Sequence, residues 1–101
     1  MIDLRRLRDE PEYRDGAIRK GADTALLDEL LAADQQRREA MAAAESARAV
    51  ANAASKEIGQ ADPADRPAKI EAAGKLKAEL VSLEEAEVSL RARVDELALQ
   101  V

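Results

Sequence analysis

The chain of 101 residues contains one aromatic residue, no Cys and no His, and its formal net charge is -5. One Tyr gives little material for a globular core, and without His or Cys there is no ordinary zinc ligand, no Ser-His catalytic pair and no thiolate. Hydrophobic residues reach 47%, many of them alanines, and charged residues reach 37%, a composition typical of long helices rather than strands.

Two short helices are predicted at the start of the chain. Asp3 can cap a helix over residues 4–8, and Pro11 fits the first turn of a second helix, where its missing N-H costs nothing. Gly21 ends the second helix, and Tyr13 is interpreted as a packing residue of the base. Residues 1–22 are therefore assigned to short base helices.

A long helix is predicted next. Asp23 or Thr24 is its candidate N-cap, and the stretch from 25 to 58 contains no Gly or Pro. At about 1.5 Å per residue, a helix over 24–58 is roughly 50 Å long. A globular domain of this size does not need so long a helix, which indicates a projecting arm.

Helix breakers then concentrate between residues 59 and 67, where Pro63 and Pro67 follow Gly59. This predicts a tip turn over 59–66. Asp65 can cap a second arm helix over 67–100, in which Gly74 is tolerated at a cost of about 1 kcal/mol relative to Ala. Two long helices joined by a short turn pack antiparallel.

Apolar residues recur at threes and fours along both predicted arm helices, which is the spacing of a coiled coil. Arg37 interrupts the first series and Glu87 the second. The first series is mostly alanine, with Leu30, Ala33, Ala40, Ala44, Ala47, Ala51, Ala54 and Ile58. The second is mostly leucine, with Ile70, Ala73, Leu76, Leu80, Leu83, Leu90, Val94, Leu97 and Val101. We predict an all-α fold, a long antiparallel two-helix coiled-coil hairpin with one or two short N-terminal helices packed at its base.

The negative charge is unevenly distributed. Residues 1–44 carry eight basic and ten acidic groups, residues 45–77 six and five, and residues 78–101 two and six. Only the middle segment is not acidic, so phosphate contacts are expected there if the partner is a nucleic acid. By charge alone these residues are better explained as solvated helix faces.

Four segments of the sequence resemble the N-terminal region of bacterial seryl-tRNA synthetases. The opening run, residues 1–11, reads MIDLRRLRDEP, and AIRKG at 17–21 precedes a leucine-rich segment. Residues 52–59 read NAASKEIG, similar to the family's Asn-x-x-Ser-Lys-x-Ile-Gly run at the end of its first arm helix, and LALQV closes the chain at 97–101. Many family members carry Glu-Arg immediately before this asparagine. Here Val50 and Ala51 stand in that place, and Arg48 is the nearest basic substitute.

This resemblance implies a single N-terminal tRNA-binding domain, residues 1–101, that lies across the long variable arm and elbow of serine tRNA. It implies no catalytic residue, metal or cofactor site within these residues. The parent is expected to be a homodimeric class II ligase that uses ATP and Mg²⁺ in a separate catalytic domain, in the cytoplasm, with no DNA or membrane partner. Whether residues 1–101 by themselves are monomeric stays open.

Candidate tRNA contacts lie on both sides of the predicted turn. Spacings of four and three place Arg48, Asn52 and Ser55 on one helix face, with Lys56 beside them, and such donors can meet phosphate and ribose oxygens. On the returning helix, at most two of its four basic residues should face one ligand, since Lys75 and Lys77 lie about 200° apart. The predicted tRNA-binding residues are Arg48, Asn52, Ser55, Lys56, Arg66 and Lys69.

Two other functions are alternatives to tRNA binding. A structural coiled-coil adaptor that binds a partner helix fits the same composition. An enzyme in its own right is disfavoured, because the adjacent carboxylates Glu84-Glu85 and Asp95-Glu96 point about 100° apart on a helix and are better explained as a solvated face.

Overall fold

The computed structural model describes residues 2–101, and within them it contains four helices and no strand. These are α1 Leu4–Asp9, α2 Pro11–Arg19, α3 Thr24–Gln60 and α4 Arg66–Gln100. The predicted all-α hairpin, with two long helices preceded by two short ones, is confirmed. The described residues form two compact units. We call residues 2–38 with Ser89–Val101 the core unit, and Glu39–Val88 the turn unit.

The two short helices begin at the residues that the sequence indicated. The Asp3 carboxylate accepts a hydrogen bond from the backbone N-H of Arg6 at 3.1 Å, which satisfies one of the unpaired amides at the start of α1. Pro11 occupies the first turn of α2. The start of α1 is therefore set by a capping carboxylate, and the start of α2 by a proline.

Gly21 ends α2 in the conformation that only glycine adopts without strain, with φ 100°. Its N-H donates to the Ile18 carbonyl at 3.0 Å, and the Ala22 N-H donates to the Ala17 carbonyl at 3.1 Å. This pair of bonds is a Schellman motif, which closes the helix end and turns the chain toward α3.

The core unit is built around large apolar side chains from α1, α3 and α4. Tyr13 of α2 packs against them, as predicted, and its hydroxyl accepts a hydrogen bond from the Asp3 N-H at 2.9 Å. The Arg6 guanidinium lies 4.6 Å from the centre of its ring. The buried members, each 7% exposed or less, are Leu7, Leu27, Leu30, Ala33, Val94 and Leu97.

Helix α3 begins at a capping aspartate and extends past the predicted end. Asp23, rather than Thr24, is the cap, since its carboxylate accepts from the Ala25 N-H at 2.9 Å. At the other end α3 runs through Gly59 to Gln60, two residues beyond the predicted limit of 58. The turn is therefore confined to residues 61–65, where the Asp62 carbonyl accepts from the amides of Asp65 at 2.9 Å and Arg66 at 3.2 Å.

The turn unit is an antiparallel pairing of α3 and α4 across a seam of small residues. Its buried apolar residues are Ala44, Ala51 and Ala73, each 4% exposed or less. The sequence assigned Ile70 to this seam, and that assignment is wrong, because Ile70 is 56% exposed. The seam positions of α4 alternate in steps of three and four residues. The step of four before Ala73 leads to Lys69, which is less exposed than Ile70.

Candidate nucleic-acid interface

Four of the predicted contact residues lie on one side of α3 in the turn unit. Arg48, Asn52, Ser55 and Lys56 are all exposed. At about 100° per residue, their positions fall within an arc of roughly 100° on the helix surface. The helix therefore presents one guanidinium, one amide, one hydroxyl and one ammonium group to the same side.

The Arg48 guanidinium is shared with a carboxylate of the facing helix. Its Nη2 lies 3.9 Å from Oε2 of Glu84, and the two side chains are 50% and 47% exposed. An exposed ion pair of this length contributes little stability, so Arg48 can exchange Glu84 for another anion. The contact also identifies the Glu84 side of α4 as the one that adjoins the four α3 residues.

Arg66 belongs to the same side of the hairpin. It is the first residue of α4 and lies 18 residues before Glu84, which is five full helical turns. Neither Arg66 nor Lys56 forms an ion pair with another residue in the range 2–101. We call this surface, Arg48, Asn52, Ser55, Lys56 and Arg66, the polar flank.

Lys69 is separated from the polar flank. Its Nζ lies 3.5 Å from Oε2 of Glu57. Glu57 follows Arg48 by nine residues, so it projects about 180° away from it. The structure thus gathers five of the six predicted contact residues on one side and directs the sixth to the other. Of the remaining basic residues on α4, Lys75 pairs with Glu71 at 3.8 Å.

The opposite side of the turn unit carries an apolar groove of about 390 Å³. Val50, which is 49% exposed, lies at its edge, and Glu79 is its only charged residue. The other lining residues are Ala43, Ser46, Ala47, Leu76 and Leu83. The two flanks therefore differ in chemistry, one rich in hydrogen-bond donors and the other apolar.

The turn unit as a whole is acidic, with six basic and ten acidic residues and a net charge of -4. Attraction to a polyanion must therefore come from local groups rather than from the overall field. The polar flank contributes three of the six positive charges. Of these three basic residues, only Arg48 is ion paired within the described part of the chain, and its partner is Glu84.

A second basic cluster, in the core unit, was not predicted from the sequence. Asp34 is only 1% exposed, and its carboxylate meets Arg8 Nη1 at 3.0 Å, Arg37 Nη2 at 3.4 Å and Arg38 Nε at 3.3 Å. The hydrogen bond that Arg8 donates to Asp34 raises the pKa of the guanidinium above its ordinary value. The available signal was the spacing of three and four residues between Asp34 and the two arginines of α3. In the apolar pattern of the sequence, Arg37 is only an interruption of the seam.

Comparison with protein families gives a match over the whole chain. The family model described as the seryl-tRNA synthetase N-terminal domain matches residues 1–101. No solved structure matches the chain.

Similar curated proteins are named serine-tRNA ligase. The one from Corynebacterium glutamicum is 47% identical over 102 residues, covering 100% of this chain and 24% of the relative. That of Corynebacterium efficiens is 44% identical over 102 residues, with the same coverage. That of Mycolicibacterium smegmatis is 46% identical over 88 residues, covering 86% of this chain and 21% of the relative. The chain thus spans about a quarter of the length of the curated relatives it matches.

Proposed function

We propose a tRNA-binding function for this chain, which belongs to the family of seryl-tRNA synthetase N-terminal domains. In this proposal residues 1–101 form a single tRNA-binding domain that recognises the long variable arm and elbow of serine tRNA. The bound tRNA is thereby positioned for ATP-dependent serylation by the catalytic part of a longer, homodimeric class II ligase in the cytoplasm.

The observation that carries the proposal is the polar flank. Its guanidinium, ammonium, amide and hydroxyl groups stand on one side of two packed helices, a rigid arrangement suited to phosphate and ribose oxygens. The only aromatic residue of the chain, Tyr13, belongs to the core unit. Recognition by stacking on bases is therefore disfavoured, and recognition of RNA shape through its backbone is favoured.

Lys69 is retained as a weaker contact. Its ammonium group must leave Glu57 before it can reach an RNA phosphate, and the two side chains are 40% and 65% exposed. An exposed pair of this kind exchanges at small cost. The proposed contacts are Arg48, Asn52, Ser55, Lys56, Arg66 and, with this smaller contribution, Lys69.

ATP and Mg²⁺ are assigned to the parent ligase rather than to these residues. Among residues 2–101 no group of three or more Asp, Glu, His or Cys side chains is arranged to hold a metal ion. Over the same residues, no helix combines the length and hydropathy that crossing a membrane requires. Neither DNA nor a membrane is included among the proposed partners.

A coiled-coil adaptor is the second candidate function, and the groove beside Val50 is the observation that favours it. An amphipathic helix could place apolar side chains there. This function predicts no discrimination among tRNAs, so the same experiment separates the two.

The test is a gel shift of the 101-residue chain with three RNAs. These are serine tRNA, serine tRNA with its variable stem deleted, and serine tRNA with the stem base pairs exchanged at constant length. We expect deletion to weaken binding more than exchange does, because a backbone-reading surface depends on shape. Equal binding of serine tRNA and of a tRNA with a short variable loop would favour the adaptor.

The protein side of the same experiment uses Lys56→Ala, with Lys20→Ala as the control outside the turn unit. The acidic turn unit should bind tRNA weakly and through few phosphate contacts. Loss of the Lys56 contact should lower affinity and make the slope of log K against log salt shallower by about 0.7 to 0.9. Lys20→Ala should leave both unchanged.

A further inference from the structure

The arginines around Asp34 exceed what the carboxylate needs. A buried carboxylate is costly unless it is paired, and one well-placed guanidinium already provides such a pair. Here three guanidinium groups converge on it, at 3.0, 3.3 and 3.4 Å. The only other carboxylate in ion-pair contact with the three in the described structure is Asp9, whose Oδ1 lies 3.4 Å from Arg8 Nε. Three cations therefore share two anions.

Most donors of these arginines are not used within the core unit. Each guanidinium has five N-H groups, about fifteen in all. One of them on Arg8 and one on Arg37 are hydrogen bonded to Asp34, and one on Arg38 to the Gln35 side chain. Nε of Arg38 is buried and donates no hydrogen bond to any described residue, although it stands close to Asp34. The three side chains nevertheless remain 30%, 26% and 38% exposed, so the remaining donors can be reached from solvent.

We propose that Arg8, Arg37 and Arg38, gathered on the buried carboxylate of Asp34, form a second anion site that takes a phosphate group of the tRNA backbone. Asp34 is the positioning residue of this site. It fixes three flexible side chains near one point, so the rotamer entropy of ordering them is spent on folding rather than on binding. Arginine suits this ligand, because its planar fork matches two phosphate oxygens.

The inference rests on the proposed tRNA-binding function and adds to it a contact outside the polar flank. The three arginines contact two carboxylates, those of Asp34 and Asp9. A bound phosphate would be the third anion. That balance supports a single phosphate group rather than a run of them. The slope of log K against log salt is proportional to the number of phosphate contacts, so the experiment measures the change in slope when one contact is removed.

The test is a fluorescence titration of labelled serine tRNA with the 101-residue chain. The affinity is measured at salt concentrations from about 50 to about 200 mM, over which it depends on the number of phosphate contacts. Arg38→Gln removes one charge and leaves two guanidinium groups on Asp34, so the carboxylate stays paired. We expect a slope of log K against log salt that is shallower by about 0.7 to 0.9, and an affinity about sixfold lower at 0.1 M salt. Arg37→Gln should give the same result, and it is the second variant should Arg38→Gln fail to fold.

Arg19→Gln is the matched control, since it removes the same charge from an exposed arginine that is not on Asp34. Its slope should equal that of the unmodified chain. Selective binding of serine tRNA with unchanged slopes in folded Arg37→Gln and Arg38→Gln would overturn the second site and leave the proposed function intact. Equal binding of serine tRNA and of a tRNA with a short variable loop by the unmodified chain would overturn both the second site and the proposed function.

Discussion

The two units of this chain bury different kinds of residue where their helices pack together. The core unit buries Leu27 and Leu30 completely, together with a carboxylate shared by three arginines. The turn unit buries only alanines, and its ion pairs are exposed. Buried apolar area is what stabilises a helical pair, so most of the stability should come from the core unit. The turn unit can then devote its surface to binding.

Replacing Leu30 with Ala should have the largest effect. The side chain is 0% exposed, and removing it should destabilise the chain by about 2 to 5 kcal/mol, because a cavity remains in the core unit. Chemical denaturation followed by circular dichroism measures the loss. Leu99→Ala is the control, since that leucine is 77% exposed and its truncation should cost little. Equal losses would remove the distinction between buried and exposed leucines.

Replacing Ala51 with Leu should have a smaller effect on stability. It overfills the packing between the helices, whereas Leu30→Ala leaves a cavity. Ala51 is 3% exposed in the seam of the turn unit, where added methylenes have no room, and the expected loss is about 1 to 3 kcal/mol. Ala47→Leu, at the next seam position, should cost less, because Ala47 also lines the apolar groove, which has space for some of the added methylenes. Thermal melts compare both with Ala49→Leu on the exposed surface of the same helix. An unchanged melt for Ala51→Leu would mean that the seam is loosely packed.

Replacing Glu84 with Gln should have the smallest effect on stability and a visible effect on binding. The Arg48 pair is about half exposed on both sides, so unfolding should change by less than about 0.5 kcal/mol. Arg48 then no longer has to leave Glu84 to reach a phosphate, so affinity for serine tRNA should rise, while the slope of log K against log salt stays close to that of the unmodified chain. Glu85→Gln removes the same charge next to it without releasing Arg48. Identical affinities for the two variants would place Arg48 outside the interface.

Most of the fold could be predicted because its local signals agree with one another. Asp3, Pro11 and Gly21 each mark the start or the end of a helix by a mechanism that depends on a few neighbouring residues. Gly59 is the exception, since the helix continues through it to Gln60. Glycine permits a helix to end but does not require it, and the proline at 63 provides the stronger stop.

The register of the seam was harder to predict at its end. Ile70 is the more apolar residue, and hydrophobicity alone assigns it to the seam. The alternation of threes and fours assigns Lys69 instead, and the structure agrees with the alternation. A lysine can occupy such a position because its alkyl stem covers apolar surface while the ammonium group reaches Glu57.

The polar flank could be predicted as a helical face, but the ion pairs that compete for it could not. Spacing along α3 fixes the common direction of Arg48, Asn52 and Ser55. The partners Glu84 and Glu57 come from how two helices meet, which one helix does not reveal. The same limit applies to Asp34, because its third partner, Arg8, lies 26 residues away on another helix.

The short turn at 61–65 also has a consequence for the order of folding. Its two hydrogen bonds to the Asp62 carbonyl hold the ends of α3 and α4 together within a few residues. Closing so small a loop costs little chain entropy, and each pair further from the turn, such as Glu57 with Lys69, then meets across a loop already closed. The turn unit should therefore assemble as a zipper, starting from its own turn. Local contacts of this kind form quickly, so this unit should acquire its structure on the fast timescale of helical hairpins.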